Sequence, residues 1–493
     1  MRTYRTSRRR TRLALAAALT VTAALTGPAA VSQAAADTPS PGAAGLGDPL
    51  FPLDGNGGYT VRHYTLDFDW QAPGTPFPAT TTIRATATQA LSRFDLDFAG
   101  NELHTVTVNG SPAQTRRDGD ELVVTPKTPI PKGSSFTVKV GYTADPTQIR
   151  HRDDAIEDYG WIPTPDGTVL YPQPNGAKMI FPSNDHPSAR APFTVRVTTP
   201  GDLTAVSNGK LVDKAERPGG RVRWTYDSEQ PVATQLVQLA IGKYQLIDGS
   251  GPDGVALRDV VPDALVAPTK QYRDLTPDHL AWLRDQLGPY PFNRYGVLVG
   301  DTDLGVALET QTLSLIPKAD LLGTRVDAER NLVHELTHQW IGDSVGIRTW
   351  SDLWLSEGHA RFYERLYSEA HGGDSFEAAM RTAYENHDQW RHDYGAPAEP
   401  TEPNLFKRMR YDGSALVLYA LREQVGTQTF QRIERAWIAQ YRGRTTSTAD
   451  YIATASKAAG QDLSGFLRPW LYGSTTPPMP GHPDWVVKPV VTG

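Results

Sequence analysis

Between Tyr59 and about residue 246 the chain alternates. Tyr64, Leu66, Phe68 and Trp70 are interleaved with Thr65, Asp67 and Asp69; Phe136, Val138, Val140 and Tyr142 repeat the pattern, as do Phe193, Val195 and Val197. A period of two over short runs predicts strands with one face buried and the other wet. Asn109-Gly110, Pro131-Lys132-Gly133, Asn208-Gly209 and Gly219-Gly220 punctuate the runs as turns, because Gly and Asn reach backbone angles that most residues avoid. No long helical period interrupts the region. Residues 59–246 therefore read as an all-β sandwich or saddle domain.

Beyond about residue 255 the period changes. His279–Leu287 predicts a helix, and Tyr295–Val299 and Thr312–Ile316 predict strands. From Asp327 a helical period governs 327–341, 357–370, 376–390 and 413–424, so residues 247–474 read as a second domain, α+β and mostly helical. Residues 37–58, rich in Gly, Pro and Ala, read as a linker or N-terminal segment that settles onto the domain at Pro49–Leu53. The proline-bearing tail 475–493 reads as irregular. A chain of 493 residues exceeds what one compact core accommodates, which agrees with this division.

The first 36 residues belong to neither domain. Arg2, Arg5, Arg8, Arg9, Arg10 and Arg12 form a basic head, an apolar run follows from Leu13 to about Leu25, and Ala34, Ala35 and Ala36 offer small residues before Asp37. That is the layout of a cleaved export signal, with an apolar run too short for a comfortable membrane span. The expectation is a secreted, extracellular protein, monomeric, with no stable membrane association once the signal is removed. Residues 1–36 hold six Arg and no Lys, Asp or Glu, so the remainder carries 43 basic and 55 acidic residues, a net of −12. That surface has the wrong sign for nucleic acid. The chain has no cysteine, so any metal site must be built from His, Asp or Glu.

Such a set is present. His334-Glu335-Leu336-Thr337-His338 lies in a stretch of helical period. Two histidines four apart project from one helix face, and both imidazoles can then reach one ion at about 2.0–2.1 Å. Glu335, between them in sequence, falls beside the metal rather than on it, where it can take a proton from water. A hydrolytic zinc site takes three protein ligands. Trp354-Leu355-Ser356-Glu357-Gly358 supplies a third, with 18 residues between His338 and Glu357. That spacing leaves room for the first helix to end near Gly342, a loop to form, and a second helix to run back from a start at Glu357.

These residues resemble the aminopeptidase N family of gluzincin metallopeptidases. The likeness runs through His334-Glu335-Leu336-Thr337-His338-Gln339-Trp340 and Trp350-Ser351-Asp352-Leu353-Trp354-Leu355-Ser356-Glu357-Gly358. It extends to Val306-Ala307-Leu308-Glu309-Thr310, to Gln173-Pro174-Asn175-Gly176-Ala177-Lys178, to Phe181-Pro182-Ser183-Asn184-Asp185-His186-Pro187, and to Ser207-Asn208-Gly209. It covers about residues 47–472. It implies an N-terminal all-β sandwich or saddle domain followed by a thermolysin-like, mostly helical catalytic domain, and one Zn2+ held by His334, His338 and Glu357. Peptides with a free N-terminus would be the substrates. By the same resemblance Glu335 is the general base, Glu309 is the main anchor for the substrate ammonium and Gln173 the second. The stretch 306–316, with Ala307, would be an exposed strand edge for the substrate backbone. Tyr411, in Tyr411-Asp412-Gly413-Ser414-Ala415, would be a second electrophile for the oxyanion, opening a helix.

The chain departs from the family pattern at five places. Val306 stands for Gly, Thr310 for Asn, Ser356 for a common Asn, His359 for a common Phe, and Gly413-Ser414 for Lys-Gly. Large members continue into a long helical C-terminal domain, and this chain stops before one; the expectation is an open cleft with weak selection on peptide length. Three alternatives remain open at the level of sequence: a zinc endopeptidase, which needs no amine anchor; an epoxide-hydrolysing relative; and a non-catalytic zinc-containing peptide-binding protein.

Overall fold

The computed structural model describes residues 38–150 and 159–491; the predicted export segment 1–36 lies outside the described residues. Strand alternation becomes burial on one face: Tyr64, Leu66, Phe68 and Trp70 are each at most 1% exposed. The largest sheet has eight strands in the order Lys210–Arg217, Arg221–Asp227, Phe193–Pro200, Tyr59–Asp69, Phe77–Ala87, Ser135–Ala144, Glu102–Val108 and Ser111–Pro112. Its pairings are antiparallel except that Phe193–Pro200 runs parallel to Tyr59–Asp69. A four-stranded sheet (Ser40–Pro41, Leu91–Asp97, Glu121–Thr125, Gln114–Asp118) and a five-stranded one complete the β domain. Phe68, Phe77 and Trp161 meet edge to face between sheets, with ring centroids 5.7–6.0 Å apart, the arrangement that aromatic quadrupoles favour.

The second domain begins with a small sheet in which Tyr244–Ser250 pairs with Ala256–Pro262, and Val297–Gly300 runs parallel to Ser314–Pro317. Helices follow: α1 (Val266–Arg273), α2 (Thr276–Leu287), α3 (Lys318–Leu322), α4 (Arg325–His338), α5 (Leu353–Ala370), α6 (Phe376–Tyr394), α7 (Ser414–Val425), α8 (Thr427–Tyr441), α9 (Thr448–Ala459) and α10 (Ser464–Tyr472). Among the described residues no helix is long and apolar enough to cross a membrane. Gly358 lets α5 lie against the start of α7, where a Cβ would stand 2.7 Å from that of Ser414.

Two features go further than the sequence-based expectations and two differ from them, each for a physical reason. The stretch 37–58, described from 38, packs against both domains. Asp48, Asp54 and Asn56 are buried in it; Asp48 accepts from the backbone N–H of Trp350 at 2.8 Å, and Lys178 donates to Asp54 at 2.9 Å. Asn208-Gly209 turns the chain between strands that lie in different sheets. Asn208 Nδ2 donates to the carbonyls of Leu236 and Gln311 (3.1 and 2.6 Å), so the amide bolts one domain to the other.

The stretch 306–316 is not one strand. It reverses at Thr310–Leu313, with Thr312 at φ 67°, and only Ser314–Pro317 is a strand. Leu308 and Leu315 exchange backbone hydrogen bonds at 2.9 and 2.8 Å, which leaves Ala307 just outside that pairing. Finally, α5 begins at Leu353, four residues before Glu357. A capping box of Thr349 and Asp352 opens a helical turn over Trp350–Asp352 and fixes that earlier start.

Candidate active site

Helix α4 supplies two metal-ligand candidates and α5 the third. Thr324 caps α4, accepting from Asp327 N–H at 3.2 Å, and Asp327 adds negative charge at the positive end of the helix. The apolar side, Leu332, Val333 and Leu336, is buried in the domain core. The other side turns His334, Glu335 and His338 into a cavity of about 290 Å³ that Glu309, Gln173, Glu357 and Tyr411 also line. All the sequence-predicted site residues therefore come together, Ala307 included.

The ligand atoms of His334, His338 and Glu357 lie within 4.8 Å of one another, and all three residues are buried. The two Nε2 atoms stand 3.3 and 3.5 Å from Glu357 Oε2. What aims them is the far side of each ring. His334 Nδ1 is 2.8 Å from Glu364 Oε2. His338 Nδ1 faces the Ile341 carbonyl at 3.2 Å and Ser356 Oγ at 3.0 Å. An imidazole that donates from Nδ1 presents a lone pair at Nε2. Two imidazole nitrogens and a carboxylate converging in this way fit a zinc ion by number, type and orientation. Gly342 (φ 129°) makes the turn possible, since a Cβ there would stand 2.7 Å from Ser356 Oγ and 3.2 Å from His338 Nδ1.

Glu364 is fixed in turn, accepting from Arg361 at 2.6 Å and from Arg330 at 3.1 Å. Burial opposes its charge, but Arg361 and His334 outweigh that and hold it ionised far below the usual carboxylate range. Burial likewise opposes charge on Glu357, and His338 and His334 keep it low. Glu335 goes the other way. Its burial raises its pKa, the histidines only partly offset this, and Glu309 and Glu357 push it further up. Its Oε2 is buried without a partner, an oxygen left for a proton in transit.

Glu309 and Gln173, 136 residues apart, are joined by a hydrogen bond from the amide Nε2 to Oε1 of Glu309 at 2.8 Å. Both are 6% exposed. The amide oxygen of Gln173 and the second oxygen of Glu309 remain as acceptors. Gln339, next to His338, fixes the loop that carries Glu309, donating to the Glu309 carbonyl at 3.2 Å and accepting from Thr312 N–H at 2.8 Å. Leu304, Leu308 and Leu313 of that loop are packed in the β-domain core. Tyr411 lies in the wide turn Met409–Gly413 that leads into α7, and its ring stacks on His334 with centroids 6.2 Å apart.

Sequence reasoning missed Glu364, Gln339 as a brace, and Arg190, which donates to the Ser344 carbonyl at 3.1 Å across the domain junction. A signal for Glu364 existed: it follows Glu357 by seven residues, two helical turns, and so shares its face. His359, where the family has a common Phe, points away from the metal-ligand cluster; its Nε2 lies 2.8 Å from Glu434 and its ring stacks on Trp437.

Residues 60–236 match the Peptidase M1 N-terminal domain and residues 274–470 the Peptidase family M1 domain. The chain is 23% identical over 441 residues to aminopeptidase N of Streptomyces lividans, covering 84% of this chain and 50% of that one. It spans about half the length of the curated relatives it matches, or less. The M1 zinc metallopeptidase of Deinococcus radiodurans has a similar structure, with a TM-score of 0.79, 30% identity, and coverage of 88% of this chain and 99% of that one. A mutant of that protein bound to a Tyr-Ser-Ala substrate is similar to the same degree, with 30% identity and a TM-score of 0.79 over 89% of this chain and all of that one.

Proposed function

The chain belongs to the M1 family of zinc metallopeptidases, and from that premise we propose that it is an aminopeptidase that hydrolyses the first peptide bond of peptides with a free N-terminus. One observation carries the proposal: the Gln173–Glu309 pair lines the same cavity as the His334, His338, Glu357 cluster. A carboxylate and an amide oxygen side by side suit an ammonium group, and a peptidase that cuts within chains has no use for them.

In this reading Glu309 and the Gln173 amide oxygen hold the substrate ammonium, which sets the first carbonyl over the cluster. His334, His338 and Glu357 would hold zinc, which when bound would supply Lewis-acid chemistry to the carbonyl and to the attacking water. Glu335 takes the proton of the attacking water and returns it to the leaving nitrogen. Tyr411 donates to the developing oxyanion. The basic head, the short apolar run and the small residues of 1–36 support action outside the cell, and N-terminal sequencing of exported protein would read a start near Asp37.

The test is hydrolysis of aminoacyl arylamides with and without N-acetylation, on zinc-replete protein. Cleavage of the free-amine forms alone is the expected result. Equal cleavage of both overturns the amine anchor and makes the protein an endopeptidase.

A further inference from the structure

Along α4 the site has a direction. Glu309 sits at the His338 end, where its carbonyl is held by Gln339 at 3.2 Å. Asn331 lies one turn before His334 and so shares its face. From His338 back to Asn331 the helix axis advances about 10 Å. A peptide held by its amine at Glu309, with its first carbonyl at the metal ligands, therefore carries its second residue toward Asn331. The wall there is Asp320 of α3. It is half-buried and lines the same cavity, as Asn331 does.

The cations at this end are already paired. Lys318 pairs with Asp301 at 2.5 Å. Arg330 pairs with Glu364 at 3.1 Å and Asp327 at 3.8 Å, and Arg361 with Glu364 at 2.6 Å and Asp412 at 3.7 Å. Among the described residues Asp320 makes no ion pair with a cationic side chain. It is a carboxylate in the wall that Asn331 shares, facing the space that receives the leaving fragment, with no cation of its own. A carboxylate so placed rewards a cationic side chain and repels an anionic one.

We propose that Asp320 selects substrates with Lys or Arg as the second residue, the residue that becomes the N-terminus of the released fragment. This rests on the aminopeptidase reading. The test is kcat/KM on Ala-Lys-Ala, Ala-Met-Ala and Ala-Glu-Ala, with free-amine alanyl arylamide as reference, for the wild type, Asp320→Asn and Asp320→Lys. The wild type is expected to favour Lys over Met by about tenfold, the scale of one charge-assisted hydrogen bond. Asp320→Asn should bring the two close to parity, and Asp320→Lys should make Glu the better second residue. Equal wild-type rates on Lys and Met, or a preference that survives in Asp320→Asn, overturns the inference while arylamide cleavage leaves the aminopeptidase reading standing. A wild type that cleaves neither arylamide nor tripeptide overturns both.

Discussion

In the β domain, Asp54, Asp97, Asp185 and Lys178 are buried as deeply as His334, His338 and Glu357 are in the helical domain. Every oxygen of the three aspartates is engaged. Asp97 accepts from Gly55 N–H, Asn56 and Asp185 N–H; Asp185 accepts from Lys178 N–H and Thr234; Asp54 accepts from Lys178 Nζ and Asn175. In the helical domain the partners sit behind the ligands, and the front atoms face a cavity. Burial and acidity are common to both sets. What separates a structural network from a site is whether satisfied groups hold unsatisfied ones open toward space.

That contrast can be broken by substitution, since the site should lose chemistry and the network should lose stability. The largest effect is expected from Glu335→Ala, which should lower kcat on arylamides by about a thousandfold, the scale of a lost general base. Its zinc content by elemental analysis should stay that of the wild type, and loss of zinc would make Glu335 a structural member instead. Next comes Lys178→Met, which leaves Asp54 buried without its cation. It should cost about 3 kcal/mol in denaturant unfolding, and an unchanged midpoint would show the network to be dispensable.

A smaller effect sharpens the boundary between the two sets. Glu364→Gln keeps the shape but removes the charge behind His334, and zinc affinity by chelator competition should fall roughly tenfold or more. The smallest tests the network by pH. Burial raises the Glu121 pKa well above the usual carboxylate range, with Asp95 adding to it. The folded state then holds that proton more tightly than the unfolded one, so its contribution is full in acid and is lost as pH rises through the folded-state pKa. Glu121→Gln should therefore be more stable than the wild type by about 1 kcal/mol at mildly alkaline pH, with no gain in acid. Equal unfolding midpoints at both pH values would show that Glu121 does not titrate between the two states.

The ligands and the base were legible because their information is local: His334 and His338 are fixed by helical spacing, and Glu335 by its place between them. The strands of the β domain were legible for the same reason. Glu309 and Gln173 came from resemblance, since nothing in 136 residues of separation says that they touch. What the pattern hid was held by non-local contacts. Asn208 reads only as a turn, not as a brace between domains, until the sheets are assembled, and Ala307 has the look of a strand edge until Thr312 turns the chain. Glu357 stands at a predicted helix start only while the capping box at Thr349 and Asp352 goes unread.

The segment 39–56 has a consequence for how the molecule comes apart. Asp48 holds the Trp350 N–H at 2.8 Å and faces His186 of the β domain at 3.5 Å, while the Phe51 ring meets Trp350 edge-on at 6.2 Å. A short ribbon thus spans both lobes and grips the turn from which the Glu357 helix departs. Heating should then melt the two lobes as a single cooperative unit, and a chain shortened to start at residue 60, which loses the Asp48 clasp and also Asp54 and Asn56 from the β-domain network, should melt at a lower temperature.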